Sequence, residues 1–228
     1  MTPPSSSPSH RFNLVVFDCD GTLMDSLDNI WRTINQAMRN RGFDRAFSRQ
    51  EVAGIVGLSL ETAFAHLLPE ATEAVWRSLA LAYKEEFRRL ASQGLTEAPL
   101  FSGVAETLRL LYEAGMVLAV ATGKSKAGLE RSLRAHDLES WFTFFQTADS
   151  APSKPHPAML TQILDQSGFS PNETLMVGDT DFDILMARNA GVASCAVTFG
   201  CHNRQRLAAA APDYWLDNMI FLPTLLGL

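Results

Sequence analysis

The feature that most limits what this chain can become is the run Leu14-Val15-Val16-Phe17-Asp18-Cys19-Asp20-Gly21-Thr22-Leu23. Four apolar residues lead into two aspartates separated by one residue, and a glycine follows. A short apolar run of this kind reads as a strand buried on both faces, as found inside a parallel sheet. In open α/β sheets the chemistry collects beyond the carboxyl ends of the strands. Side chains alternate along an extended chain, so Asp18 and Asp20 point the same way. By the same alternation Cys19 turns into the sheet packing, and Gly21 lets the chain change direction sharply. Two carboxylates roughly 4–6 Å apart repel unless a cation intervenes. The pattern points to a metal site that also supplies a nucleophile and a proton-transfer group, rather than to a solvated acidic turn.

The stretch 24–98 is helical in character throughout. Ser26 stands where it can cap a helix whose apolar positions Leu27, Ile30, Trp31, Ile34 and Met38 recur at helical spacing. Gly42 closes it. Ser48-Arg49-Gln50-Glu51 has the form of a capping box. Gly54 and Gly57 interrupt the second helix, and Ser59 opens a third. The stripe Val75, Leu79, Ala82, Tyr83, Phe87 and Leu90 marks a longer fourth.

From Pro99 the pattern alternates. Helices are expected over 102–114, 126–138, 157–167, 181–190 and 204–210, with a terminal helix after Asn218. Strands are expected over 116–121, 141–145, 174–177, 193–198 and 214–216. Such alternation implies right-handed βαβ units and a mostly parallel sheet, so the fold class is α/β. The expected organisation is a Ser- and Pro-rich disordered tail (1–10), an α/β core from 11–23 and 99–228, and a helical cap (24–98) inserted after the first strand.

Three further strand ends carry polar clusters. In Thr122-Gly123-Lys124 a hydroxyl beside glycine can bind a phosphate oxygen together with backbone N–H groups. A threonine there can equally cap a helix, and Lys124 reads as a surface lysine. In Ser153-Lys154-Pro155-His156-Pro157 the prolines hold the lysine more firmly than a free loop would; His156 reads as a loop residue. In Gly178-Asp179-Thr180-Asp181-Phe182-Asp183, Asp179 leaves a strand end and Asp183 follows on the same helix face. Acids at that position also serve as simple dipole partners, and Asp181 reads as a surface acid of the first turn.

Asp18-Cys19-Asp20-Gly21-Thr22-Leu23-Met24-Asp25-Ser26 resembles the first motif of the haloacid dehalogenase (HAD) superfamily, in the phosphatase branch typified by phosphoglycolate phosphatase. Thr122-Gly123, Lys154, and Asp179 with Asp183 resemble its second, third and fourth motifs, in that order. The resemblance covers nearly all of the chain after the tail. It implies a HAD-like Rossmannoid core with a helical cap, and a phosphatase working through an aspartyl-phosphate. In that reading Asp18 is the nucleophile and Asp20 the proton donor and acceptor. Thr122 and the Gly123 N–H hold the phosphoryl group, and Lys154 balances its charge. Mg2+ would be bound by Asp18, the backbone carbonyl of Asp20, Asp179 and Asp183, the last directly or through water. Spacing alone does not choose between attack by Asp18 and attack by a metal-bound water. The helical insert would act as a lid hinged near 24–25 and 95–99.

The resemblance also ranks the alternatives. Dehalogenases of the superfamily lack the second aspartate of the opening motif, which is present here as Asp20. Enzymes like β-phosphoglucomutase carry a histidine and an arginine in the cap where this chain has Ile30 and Leu60. A pyrophosphatase uses the same scaffold, and a catalytically silent binding module is the alternative of a different class.

Composition narrows the partners. A net charge of −6 over 228 residues argues against a general nucleic-acid binder. The three cysteines, Cys19, Cys195 and Cys201, are widely spaced and lack zinc-finger spacing, which reads as free thiols in a reducing compartment. No apolar run reaches the ~18–20 residues a membrane span needs, and the N-terminus lacks the apolar core of a signal peptide. The expectation is a cytoplasmic enzyme, monomer or homodimer, acting on a small phosphorylated metabolite, with no nucleic-acid or membrane partner.

Overall fold

The structure, a computed structural model, describes residues 12–228. The tail expected over 1–10 lies outside the described residues. The described strands are β1 (Leu14–Phe17), β2 (Val117–Ala121), β3 (Phe144–Gln146), β4 (Thr174–Gly178), β5 (Ala193–Val197) and β6 (Tyr214–Leu216). They form one parallel sheet in the order β3-β2-β1-β4-β5-β6. β1 lies at its centre, with Phe17 in register with Val120 of β2 and Val177 of β4. All four β1 side chains are fully buried, which explains why the run carries no polar residue. Each such side chain contributes roughly 1.5–3 kcal/mol relative to exposure.

Between β1 and β2 the chain forms α1 (Leu27–Asn40), α2 (Arg49–Ala53), α3 (Leu60–Leu67) and α4 (Glu73–Ala91). These helices enclose an apolar cluster of their own, including Ile34, Met38, Phe47, Val52, Phe64, Leu79 and Tyr83. The capping box at the start of α2 is present, with Ser48 and Glu51 each accepting the other's backbone N–H. Ser26 precedes α1 but does not cap it with its side chain; that hydroxyl is used elsewhere. The insert leaves and returns side by side: the Asp25 N–H donates to Pro99 (2.9 Å) and the Phe101 N–H to Leu23 (3.1 Å).

The sheet is covered on both faces. Val15, Phe17, Leu118, Val120, Leu175 and Val177 pack with α5 (Val104–Glu113) and α6 (Lys126–Arg134). Leu14, Val16, Ala119, Ala121 and Met176 pack with α7 (Ala158–Ser167) and α8 (Asp181–Asn189). α9 (Arg204–Ala209) and α10 (Leu222–Leu226) complete the described helices. Cys19 and Cys195 are buried, as alternation predicts for Cys19, and the three cysteines are unpaired.

Most element ends fall within two residues of expectation, and two differ by more. The helix expected over 126–138 stops at Arg134, because Asp137 adopts a left-handed φ of 56° and the Leu138 N–H turns back to Leu133. The strand expected over 141–145 begins only at Phe144, where pairing with Ala119 starts; Glu139–Trp141 forms a short 3-10 turn.

Candidate active site

The strand order reverses between β1 and β4, and both strands end in an aspartate there. Asp18 extends β1 by one residue, its N–H donating to Val177 (2.9 Å). Asp179 follows β4 directly. One carboxylate oxygen from each of Asp18, Asp179 and Asp183 lies within 4.8 Å of the others, all three residues being buried. Lys154 reaches into this group. Its ammonium is 2.5 Å from Asp18 Oδ1 and 2.6 Å from Asp183 Oδ1, with no side-chain exposure at any of the three. The peptide bond from Lys154 to Pro155 is cis.

Each acid is held differently. Asp179 Oδ1 accepts from the Thr22 hydroxyl (2.8 Å) and Oδ2 from the Cys201 N–H (2.7 Å). Asp183 Oδ2 accepts from the Thr180 hydroxyl (2.6 Å) and the Thr180 N–H (3.0 Å), closing a capping box at the start of α8. Asp18 Oδ2 is buried and accepts no hydrogen bond. Such an orphaned oxygen is costly unless something else engages it.

Electrostatics follow the burial. Desolvation pushes the Asp18 carboxyl well above the usual range, with Lys154 pulling the other way and Asp183 and Asp179 adding to the rise. Burial, reinforced by Asp183, raises Asp179 to about 6. Burial opposes the charge on Lys154, but Asp18 and Asp183 outweigh it and hold its pKa above the ordinary value. Three carboxylates face one ammonium, a deficit of two positive charges. Hard oxygen donors with that deficit and one unengaged oxygen suit a divalent cation of the Mg2+ type.

Asp20 is not in that group. Its carboxylate accepts from the Ser26 hydroxyl and lies 2.8 Å from Lys124 Nζ. Lys124 is therefore not the surface lysine expected from the sequence. Its side chain is 13% exposed, and Asp20 holds its charge against desolvation. Thr122 is buried at the end of β2, its backbone N–H donating to Gln146 (3.0 Å), and its hydroxyl accepts from the Lys124 N–H (3.2 Å). Gly123 lies against the insert: a Cβ there would meet the carbonyl oxygens of Leu58 at 2.5 Å and Gly57 at 2.6 Å.

Asp181 also departs from the expected surface acid. It receives Arg206 at 2.8 and 3.0 Å and lies 3.1 Å from buried His202. Burial opposes its charge, but His202 and Arg206 lower its pKa to about 2. Arg206 also donates to the Gly54 carbonyl (3.3 Å), tying α9 to the insert. His156 is a loop residue, as expected, accepting from the Ala158 N–H.

The motifs give no site role to Thr22, Ser26 or Cys201. Thr22 and Ser26 lie inside the opening motif. Gly21, with φ 90°, turns Thr22 back toward Asp179, and a Cβ at Gly21 would collide with that carboxylate. Cys201 carries no local signal, because its role is a backbone N–H presented from the loop after β5.

Residues 15–197 match the haloacid dehalogenase-like hydrolase family. The chain belongs to that family. This hydrolase is 39% identical over 209 residues to probable phosphatase IndB of Dickeya dadantii (strain 3937), covering 90% of this chain and 89% of the relative. It is 32% identical to the phosphoglycolate phosphatase of Vibrio vulnificus (strain CMCP6), covering 92% and 93%. Its fold is similar to the crystal structure of a predicted phosphoglycolate phosphatase from Haemophilus somnus 129PT, with a TM-score of 0.84, 26% identity and coverage of 95% and 99%. The HAD-like α/β fold read from the sequence is thus the fold of this hydrolase. Among the described residues, no helix is long and apolar enough to cross a membrane.

Proposed function

We propose that this hydrolase is a Mg2+-dependent phosphatase that cleaves a small phosphomonoester through an aspartyl-phosphate on Asp18. One observation carries the reading: Asp18 brings a buried, unengaged oxygen into a cluster where a single lysine faces three carboxylates. The names of the relatives, both phosphatases, support it.

Asp18, Asp179 and Asp183 would hold the metal, together with the Asp20 backbone carbonyl. Asp183 is already engaged by Lys154 and Thr180 and acts mainly as support. Bound there, Mg2+ supplies charge neutralisation for nucleophile and phosphate together. The Asp18 carboxylate attacks phosphorus, and the bond from phosphorus to the leaving oxygen breaks. Asp20, oriented by Ser26 and Lys124, gives that oxygen a proton. It then takes one from the water that hydrolyses the aspartyl-phosphate. The Thr122 hydroxyl, the Gly123 N–H and Lys154 offset charge on the equatorial oxygens, where phosphoryl transfer develops it.

The helical insert (24–98) acts as a lid over the core (11–23 and 99–228). The Ser59 N–H donates to the Ser153 hydroxyl (2.9 Å), and Gly57 and Leu58 lie against Gly123. Closure of this kind excludes water and completes the site.

The test is hydrolysis of p-nitrophenyl phosphate and a phosphomonoester panel that includes phosphoglycolate, with Mg2+ and with chelator. Metal-dependent turnover, together with a phosphate adduct on Asp18 after acid quench, is the expected result. No metal-dependent turnover on any ester would leave a binding module instead.

A further inference from the structure

We propose that the substrate carries a second anionic group on an apolar or planar leaving group, and that Arg88 and Arg131 read that anion. This rests on the phosphatase reading above and specifies its substrate class.

A cavity of about 560 Å³ lies between the insert and the core and reaches the site at Asp20, Gly123 and Lys124. That volume falls within the range that encloses drug-sized ligands, roughly 300–1,000 Å³, and exceeds what a two-carbon acid needs. Part of its wall is apolar, with Ile34, Ile55, Leu58 and Phe64 among the lining residues. Tyr83 and Phe87, also in the wall, stack with ring centroids 6.0 Å apart and planes 19° from parallel. The Arg131 guanidinium lies 5.7 Å from the Phe87 centroid. A row of planar groups along one wall favours a flat or apolar body over a short polar one.

Charge supplies the second part. Lys84, Arg88 and Arg131 line the cavity, and among the described residues none has a carboxylate within ion-pair distance. Most other arginines, including Arg41, Arg49, Arg77, Arg89 and Arg206, have one. The acids lining the same cavity are engaged. Asp20 lies by Lys124, Glu61 is 3.7 Å from Arg77, and Asp149 accepts from the Lys126 N–H (2.8 Å). Three exposed cations without acidic partners therefore line one cavity in a chain of net charge −6. They complement an anion at the end of the leaving group away from the phosphate, either a carboxylate or a phosphonate-like group.

The experiment compares kcat/KM for three aryl esters differing only in the para substituent: para-carbamoylphenyl phosphate (neutral), para-carboxyphenyl phosphate and para-phosphonophenyl phosphate. Phosphoglycolate is the fourth substrate. At least one anionic aryl ester should exceed the neutral one by about three- to tenfold, the size expected of partly solvated charge pairs. The preference should reside in KM and shrink with added salt. Which ester gains identifies the anion. Phosphoglycolate should fall below the favoured aryl ester. In the Arg88→Met/Arg131→Met double variant the anionic-to-neutral ratio should fall to near one. An equal or better neutral ester, a ratio that survives the double variant, or phosphoglycolate ranking first would overturn the inference while leaving the phosphatase reading intact. Hydrolysis of none of the four would also overturn the inference, while metal-dependent turnover on the wider ester panel decides the phosphatase reading separately.

Discussion

The ammonium of Lys154 lies 2.5 Å from an oxygen of Asp18, and neither side chain is exposed. The same ammonium is shared with Asp183, so one cation restrains two of the three clustered carboxylates. Removing it leaves the group with no internal counter-charge. In Lys154→Met the metal-free protein should lose about 3–5 kcal/mol of stability, the cost of breaking a buried pair. Turnover should fall about 100- to 1,000-fold, as when one charge-stabilising donor is lost. Urea denaturation without metal and steady-state kinetics with Mg2+ measure the two effects. A variant with unchanged stability would show that the cluster does not depend on this cation.

Asp18→Asn makes the opposite prediction for stability. Burial opposes the Asp18 charge, and Lys154 retains Asp183 after the change. The metal-free variant should melt at or above the wild-type temperature while turnover falls at least about 1,000-fold. A clear drop in melting temperature would mean that the Asp18–Lys154 pair stabilises the fold more than the buried charge strains it.

The pH dependence follows from Asp179, raised to about 6 by burial and then by Asp183. An ordinary carboxyl titrates near 3.9, so the fold holds this proton more tightly than the unfolded chain does. Stability from this group is complete below about pH 4 and is lost as pH rises through about 6. Metal binding needs the carboxylate and so releases the proton. The rise in melting temperature produced by Mg2+ should therefore be small near pH 5 and larger near pH 7.5. Thermal denaturation across that range, with and without Mg2+, checks it; an equal rise at both ends would contradict it.

Gly123 sets how closely the insert approaches the core, since a Cβ there would press on the carbonyls of Leu58 and Gly57. Gly123→Ala should lower kcat/KM about 10- to 100-fold, as ångström-scale misplacement at a reacting centre does. Global stability should change by no more than about 2 kcal/mol, because the contact lies at the seam and not in either apolar cluster. Unchanged kcat/KM would show that the seam has no part in turnover.

Much of this protein is legible in its sequence. The apolar run 14–17 can satisfy itself only inside a sheet, and it occupies the central strand. The 3.6-residue periodicity of the insert and the helix–strand alternation after it give the elements to within a few residues. The expected acids Asp18, Asp179 and Asp183 and the lysine Lys154 converge on one place. Local signals could not reveal Lys124, whose neighbours resemble a solvent-facing turn, or Asp181, whose partner Arg206 is 25 residues away. They were equally blind to the Cys201 N–H, which reaches Asp179 only because β5 lies beside β4.

The sequence by itself determined which segments become strands or helices and which residues stand at strand ends. These depend on side-chain size, branching and charge within a few positions along the chain. Only the tertiary structure decided that β4 lies next to β1, so that Lys154 meets Asp18 across 136 residues and Thr22 meets Asp179 across 157. Strand order is chosen by burying both faces of the sheet at once, a condition that no local stretch of chain can express.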